Sequence, residues 1–203
     1  MKRKSWFSHK VIWPFIIAGT LMLAACAGNE AEEGTAVTIN KDGKIGYRIV
    51  SNFDKSYYDK DELQQRILQE VTSYNQTGGT DHVSVEKIEV KDNVAIVEMT
   101  YAEAADYAAF NGGIFFIGNA FKAQAEGYDL NKVLSAAEDS METVGMSDIL
   151  SMTDYTLLIT DMKDPISLSG KAAYISDNVK ISRNLKTVSF DEESEELAYI
   201  LYK

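Results

Sequence analysis

The sequence predicts an α+β fold: a mainly antiparallel sheet with one long N-terminal helix and two or three short inserted helices. Three observations lead there. Leu63, Ile67, Leu68 and Val71 recur at helical spacing, with Tyr74 one step further on. Apolar and polar residues alternate on both sides of Asp92-Asn93, as in a half-buried hairpin. The last third of the chain returns to short strand-like runs. Strand runs with helices inserted between them favour α+β over a doubly wound sheet.

Local chemistry justifies each element in turn. Residues 39–53 read as the first β segment, turned at Asn40-Lys41-Asp42-Gly43-Lys44, where an Asp-Gly pair favours a tight hairpin. The long helix follows. Gln64, Gln65, Arg66, Gln69 and Glu70 fill its polar face, Asp59 or Asp61 caps its start, and Gly78-Gly79 stops it. Val83, Val85, Ile88 and Val90 form the next strand, and the broken alternation near Glu86-Lys87 predicts a bulge. Asp92-Asn93 suits a turn at positive φ, and residues 94–101 return.

Residues 102–127 have a different texture. Residues 103–110 read as a helix ended by Asn111-Gly112-Gly113. Ile114-Phe115-Phe116-Ile117 is wholly apolar, and residues 119–126 read as a second short helix. Asp129 is placed to cap a third, with Val133, Leu134 and Ala137 as its stripe. Residues 155–160 have the apolar run of a buried strand. Residues 172–175 and 179–181 read as one bent strand, or two, around Asp177-Asn178. Residues 187–190 and 197–202 flank the acidic turn 191–196 as a terminal hairpin.

The N-terminus has its own pattern. Met1-Lys2-Arg3-Lys4 and Lys10 precede an apolar stretch over 11–22, with no acid, and the stretch ends at Leu23-Ala24-Ala25-Cys26. This is the layout of a secretory signal. Pro14 and Gly19 interrupt the apolar core, which falls short of the roughly 20 residues a bilayer span needs. Its ending resembles the lipobox of bacterial lipoproteins, over residues 1–26 only. The resemblance implies a signal peptide at 1–25, a diacylglyceryl lipid with palmitate on Cys26, and residence on the extracytoplasmic face of the cell membrane. Lipid on Cys26 would then be the membrane contact, 26–38 a lipidated Cys and flexible tether, and 39–203 a single α+β domain. Residues 172–203 loosely resemble lipoproteins of anaerobic gram-positive bacteria, from which no function follows.

Composition narrows the rest. Removing residues 1–25 leaves 178 of 203, which suits one domain or two very small ones. It removes four basic residues and no acid, so 16 basic residues face 31 acids, a net charge of −15. That balance argues against nucleic acid and against anionic lipid surfaces, which need Lys/Arg patches. Cys26 is the only cysteine, so no internal disulfide is expected. No cofactor is implied.

Few residues suggest catalysis. His82 is the only histidine after residue 9, and no Gly-x-Ser-x-Gly elbow accompanies it. Its neighbour Asp81 would point to the opposite face of a strand, so His82 is expected at a strand edge. Too few His and Cys remain for a zinc or copper site. Gly112-Gly113 lacks the Lys-Ser/Thr of a phosphate loop. Asp54, Asp59, Asp61 and Glu62 lack the order of a calcium loop and read as a helix N-terminus. Gly112-Gly113 reads first as a kinked helix or turn in the core; the alternative is a mobile lip over a candidate partner or ligand patch of Tyr107, Phe110, Phe115 and Phe116. The favoured function is a non-enzymatic binding or scaffolding module of the envelope, facing an envelope protein or wall glycan. The alternatives are a wall or glycan hydrolase using two carboxylates about 5–10 Å apart, and a transporter's solute-binding lipoprotein, for which the chain is short.

Overall fold

A computed structural model describes residues 34–78 and 81–203. The signal segment, Cys26 and residues 27–33 of the expected tether lie outside the described residues. β1 (Ala36–Ile39) and β2 (Ile45–Asn52) form the first hairpin. Its turn closes where Gly43, at φ 88°, donates its amide to the Asn40 carbonyl. The ordered strand starts earlier than residue 39, and Thr35 Oγ1 exchanges hydrogen bonds with both main-chain groups of Val50. α1 (Lys60–Gly78) opens with Asp59 Oδ1 accepting from the Asp61 and Glu62 amides. β3 (Val83–Lys91) and β4 (Val94–Tyr101) turn through Asp92 and Asn93, at φ 52° and 63°. Their register shifts between Val85 and Lys87, which leaves Glu86 as the bulged residue.

α2 (Ala104–Asn111) ends at Gly112, at φ 76°, and β5 (Phe115–Gly118) follows. α3 (Ala120–Ala125) is capped by Asn119, whose side chain accepts from the Lys122 amide. Then come β6 (Leu134–Ala136), β7 (Thr143–Val144), α4 (Met146–Ser151), β8 (Thr156–Thr160) and β9 (Ile166–Ser167). β10 (Ala172–Ile175), β11 (Val179–Ile181), β12 (Thr187–Phe190) and β13 (Ala198–Tyr202) complete the chain. The strands form a seven-stranded sheet, β11-β12-β9-β1-β2-β4-β3, and a six-stranded sheet, β5-β8-β13-β10-β6-β7. Pairing is antiparallel except for β1 with β9.

The α+β expectation is thereby corrected. Among the described residues, thirteen strands in two sheets make the body, and three of the four helices have eight residues or fewer. α1 makes no layer of its own. It lies against β3, and Leu68 of its supposed apolar stripe is 44 % exposed. No helix is capped by Asp129. That carboxylate accepts from the Asn131 amide in a local turn, and Val133, 69 % exposed, alternates with buried Leu134 at strand spacing. The third short helix is α4, whose Met146, Ile149 and Leu150 recur at helical spacing and pack into an apolar core.

The C-terminal hairpin is also corrected. β12 belongs to the seven-stranded sheet and β13 to the six-stranded one, so turn 191–196 carries the chain between sheets. The segment around Asp177-Asn178 makes the same passage from β10 to β11. A buried polar clasp joins the two passages. Ser176 Oγ donates to Asn178 Oδ1 at 2.6 Å and accepts from the Tyr199 amide, while Asn178 Nδ2 donates to the Glu196 carbonyl at 3.0 Å.

The six-stranded sheet is the middle layer. Leu158, Ala198, Ile200 and Tyr202 face the other sheet in one core. Leu157, Ile159, Tyr199 and Leu201 face α3, α4 and Leu134 in a second. β8 and β13 are therefore buried on both faces, which accounts for their unbroken apolar sequence.

Candidate functional site

A groove of about 880 Å³ opens between α2, β5 and α3, with the β1–β2 turn at one end. Its floor follows from the sequence of α2. Ala105, Ala108 and Ala109 fall on one side at helical spacing, while Asp106, Tyr107 and Phe110 turn inward. Alanine has only a Cβ, so this face of the helix stays low. β5 forms one wall. Tyr128 stands on the far bank with Lys122 and Glu126 of α3, and Asp42 and Glu103 complete a mostly acidic rim. Lys122 Nζ lies 3.8 Å from Glu126 Oε1 and 5.7 Å above the Phe116 ring. Burial, then the nearby Glu126, raises the Tyr128 phenol above its usual range.

The four predicted aromatic residues come together, but as core. Tyr107, Phe115 and Phe116 are 1, 3 and 5 % exposed, and Phe110 is half-buried. Tyr107 makes edge contacts with Tyr47, Tyr101 and Phe115, at centroid distances of 5.4, 5.2 and 4.7 Å. Phe110 packs against Tyr74 and Tyr101. Phe116 points to the other face, against Tyr128 at 5.1 Å. The exposed aromatic patch is therefore replaced by a groove beside these rings. Gly112 and Gly113 make the turn after α2 and border the groove. Gly112 caps α2 in the left-handed conformation, and a Cβ on Gly113 would come within 2.4 Å of Met162 Cε.

The sequence reading of His82 missed its partner. Asp106, the single acid within α2, pairs with His82 Nδ1 at 3.0 Å and accepts from the Tyr74 hydroxyl at 3.2 Å. The trio ties α1, α2 and the start of β3 together, on the side of α2 away from the alanine floor. Its signal in the sequence was one carboxylate amid an apolar helix. Of the acidic cluster near α1, Asp59 is spent on the cap, Asp54 pairs with Lys55 and Glu62 with Arg66.

Among the described residues, no group of three or more His, Cys, Asp or Glu is placed to hold a metal ion. No protein family, curated protein or solved structure matches this chain. No helix among the described residues is long and apolar enough to cross a membrane.

Proposed function

We propose that this protein is a lipoprotein anchored through Cys26 at the extracytoplasmic face of the cell membrane, and that its folded domain is a non-enzymatic module capturing a partner of the cell envelope. The anchor rests on Leu23-Ala24-Ala25-Cys26 behind a basic and apolar leader. The observation that carries the binding role is the groove: a low apolar floor with a charged rim, the usual composition of a site that holds a ligand by shape and orients it by a few polar groups.

The test is a photo-crosslinking residue at Ala109, on the groove floor, compared with one at exposed Lys180 of β11. Cells carrying the Ala109 probe should yield a discrete adduct in the membrane fraction, and the Lys180 probe should not. Cys26→Ser should move the protein to the medium or leave it with its signal attached. Equal adducts from both positions would remove the groove from the function, and unchanged fractionation of the Cys26 variant would remove the anchor.

A further inference from the structure

We infer that the occupant of the groove is an extended, lysine- or arginine-rich polypeptide segment, bound as an added strand beside β5. The inference rests on the groove-capture reading and gives it a partner chemistry. Among the described residues, β5 ends the six-stranded sheet and pairs only with β8. The Ile114 carbonyl accepts from the Asp161 amide, and the Ile114 amide donates to Asp161 Oδ1 at 2.7 Å. That fixes the alternation of the antiparallel ladder. Phe116 and Gly118 turn their main-chain groups toward β8, and Phe115 and Ile117 turn theirs away. Both Phe115 and Ile117 border the groove.

The other sheet shows how this molecule protects an edge. β3 carries a bulge at Glu86 and the charges Lys87, Glu89 and Lys91, which discourage a foreign strand. β5 reads Phe-Phe-Ile-Gly, with regular register and no charge or proline. Among the described residues it is an edge that carries none of these protections and suits strand addition. Four residues offer about 13 Å of template.

Side chains of an added strand would alternate between two banks. Phe115 lies on the α2 side, so one set would fall on Ala105, Ala108 and Ala109. Phe116 lies on the α3 side, so the other would meet Tyr128 and Lys122. The charge of the partner follows from the rim. Among the described residues that line the groove, Asp42, Glu103 and Glu126 are opposed only by Lys122, which already pairs with Glu126. A basic strand complements that field and an acidic one is repelled.

The probe is a blocked hexapeptide of alternating lysine and valine, titrated into the isotope-labelled full chain in nonionic detergent. Binding should saturate, shift the Phe115 and Ile117 amides and slow their hydrogen exchange. N-methylating one alternate set of the peptide's amides should weaken binding about tenfold or more, and methylating the other set should not. A glutamate-valine hexapeptide should bind more weakly. Ala109→Trp should abolish binding with unchanged circular dichroism, and exposed Ala105→Arg serves if that variant misfolds. No saturable shift at Phe115 and Ile117, equal effects of the two methylation patterns, or shifts centred on residues 191–196 would overturn strand addition. If strand addition fails while the Ala109 adduct persists in cells, capture stands and only its mode falls. If both fail, capture falls too.

Discussion

At the scale of single residues, two kinds of constraint separate. Gly170 is needed for a close approach. A Cβ there would sit 2.4 Å from the carbonyl oxygen of Lys203, whose main chain pairs with Lys171 in both directions. Backbone cannot swing aside as a flexible side chain can, so Gly170→Ala should cost roughly 1–3 kcal/mol, the usual range for overpacking. Urea denaturation of the variant beside the parent reads this directly, and equal midpoints would refute it. Asn178 and Ser176 hold by hydrogen bonding instead. Neither kind was legible in the sequence, because the partners of Gly170, Asn178 and His82 come from distant segments. Asp92-Asn93 and Asp42-Gly43 were legible because their demand for positive φ is local.

At the scale of elements, β5 concentrates the contrast. Phe115 and Phe116 are neighbours that serve two different cores, one between the sheets and one under α3 and α4. Truncating a buried Phe costs roughly 3–5 kcal/mol, and a whole domain has about 5–15 kcal/mol to lose. Phe115→Ala with Phe116→Ala should therefore unfold most of the protein, seen as loss of its circular dichroism spectrum. A folded double variant would mean that these rings do not hold the cores together. The β3–β4 hairpin was readable in detail, bulge included, because only one of its faces is apolar and the alternation survives. β8 and β13 are apolar on both faces, so the sequence showed strands but not their partners. The same silence made 187–202 look like one hairpin, since a polar turn looks alike within a sheet or between two. Helical spacing marked α1, and the molecule covers most of that face: Val71 is buried, Leu63, Ile67 and Tyr74 are half-buried, and Leu68 alone of the stripe is exposed.

At the scale of the whole molecule, the tyrosines are a shared liability at high pH. Burial raises the phenols of Tyr47, Tyr101 and Tyr107 well above the usual range, and for Tyr47 the carboxylate of Asp164, which accepts its hydroxyl at 2.7 Å, adds to the effect. In the unfolded chain they ionise near pH 10, at about the ordinary tyrosine value. Above that pH the unfolded state has lost protons that the folded state keeps, so folding weakens as pH rises. Each such group contributes about 1.4 kcal/mol per pH unit. Stability should be complete below about pH 10 and fall steeply beyond it. Tyr107→Phe should make that decline shallower by one group's share. Urea melts across an alkaline pH series test this, and a Tyr107→Phe slope equal to the parent's would count against it.

The position of β13 has a consequence for timing. Strand β13 is not an edge of its sheet; it lies between β8 and β10 and contributes to both cores. Until residues 198–202 arrive, β8 and β10 have no common neighbour, and the passage through 191–196 leads nowhere. Because both cores share this strand, neither is complete before residues 198–202 are in place, and the two should open and close as one cooperative unit.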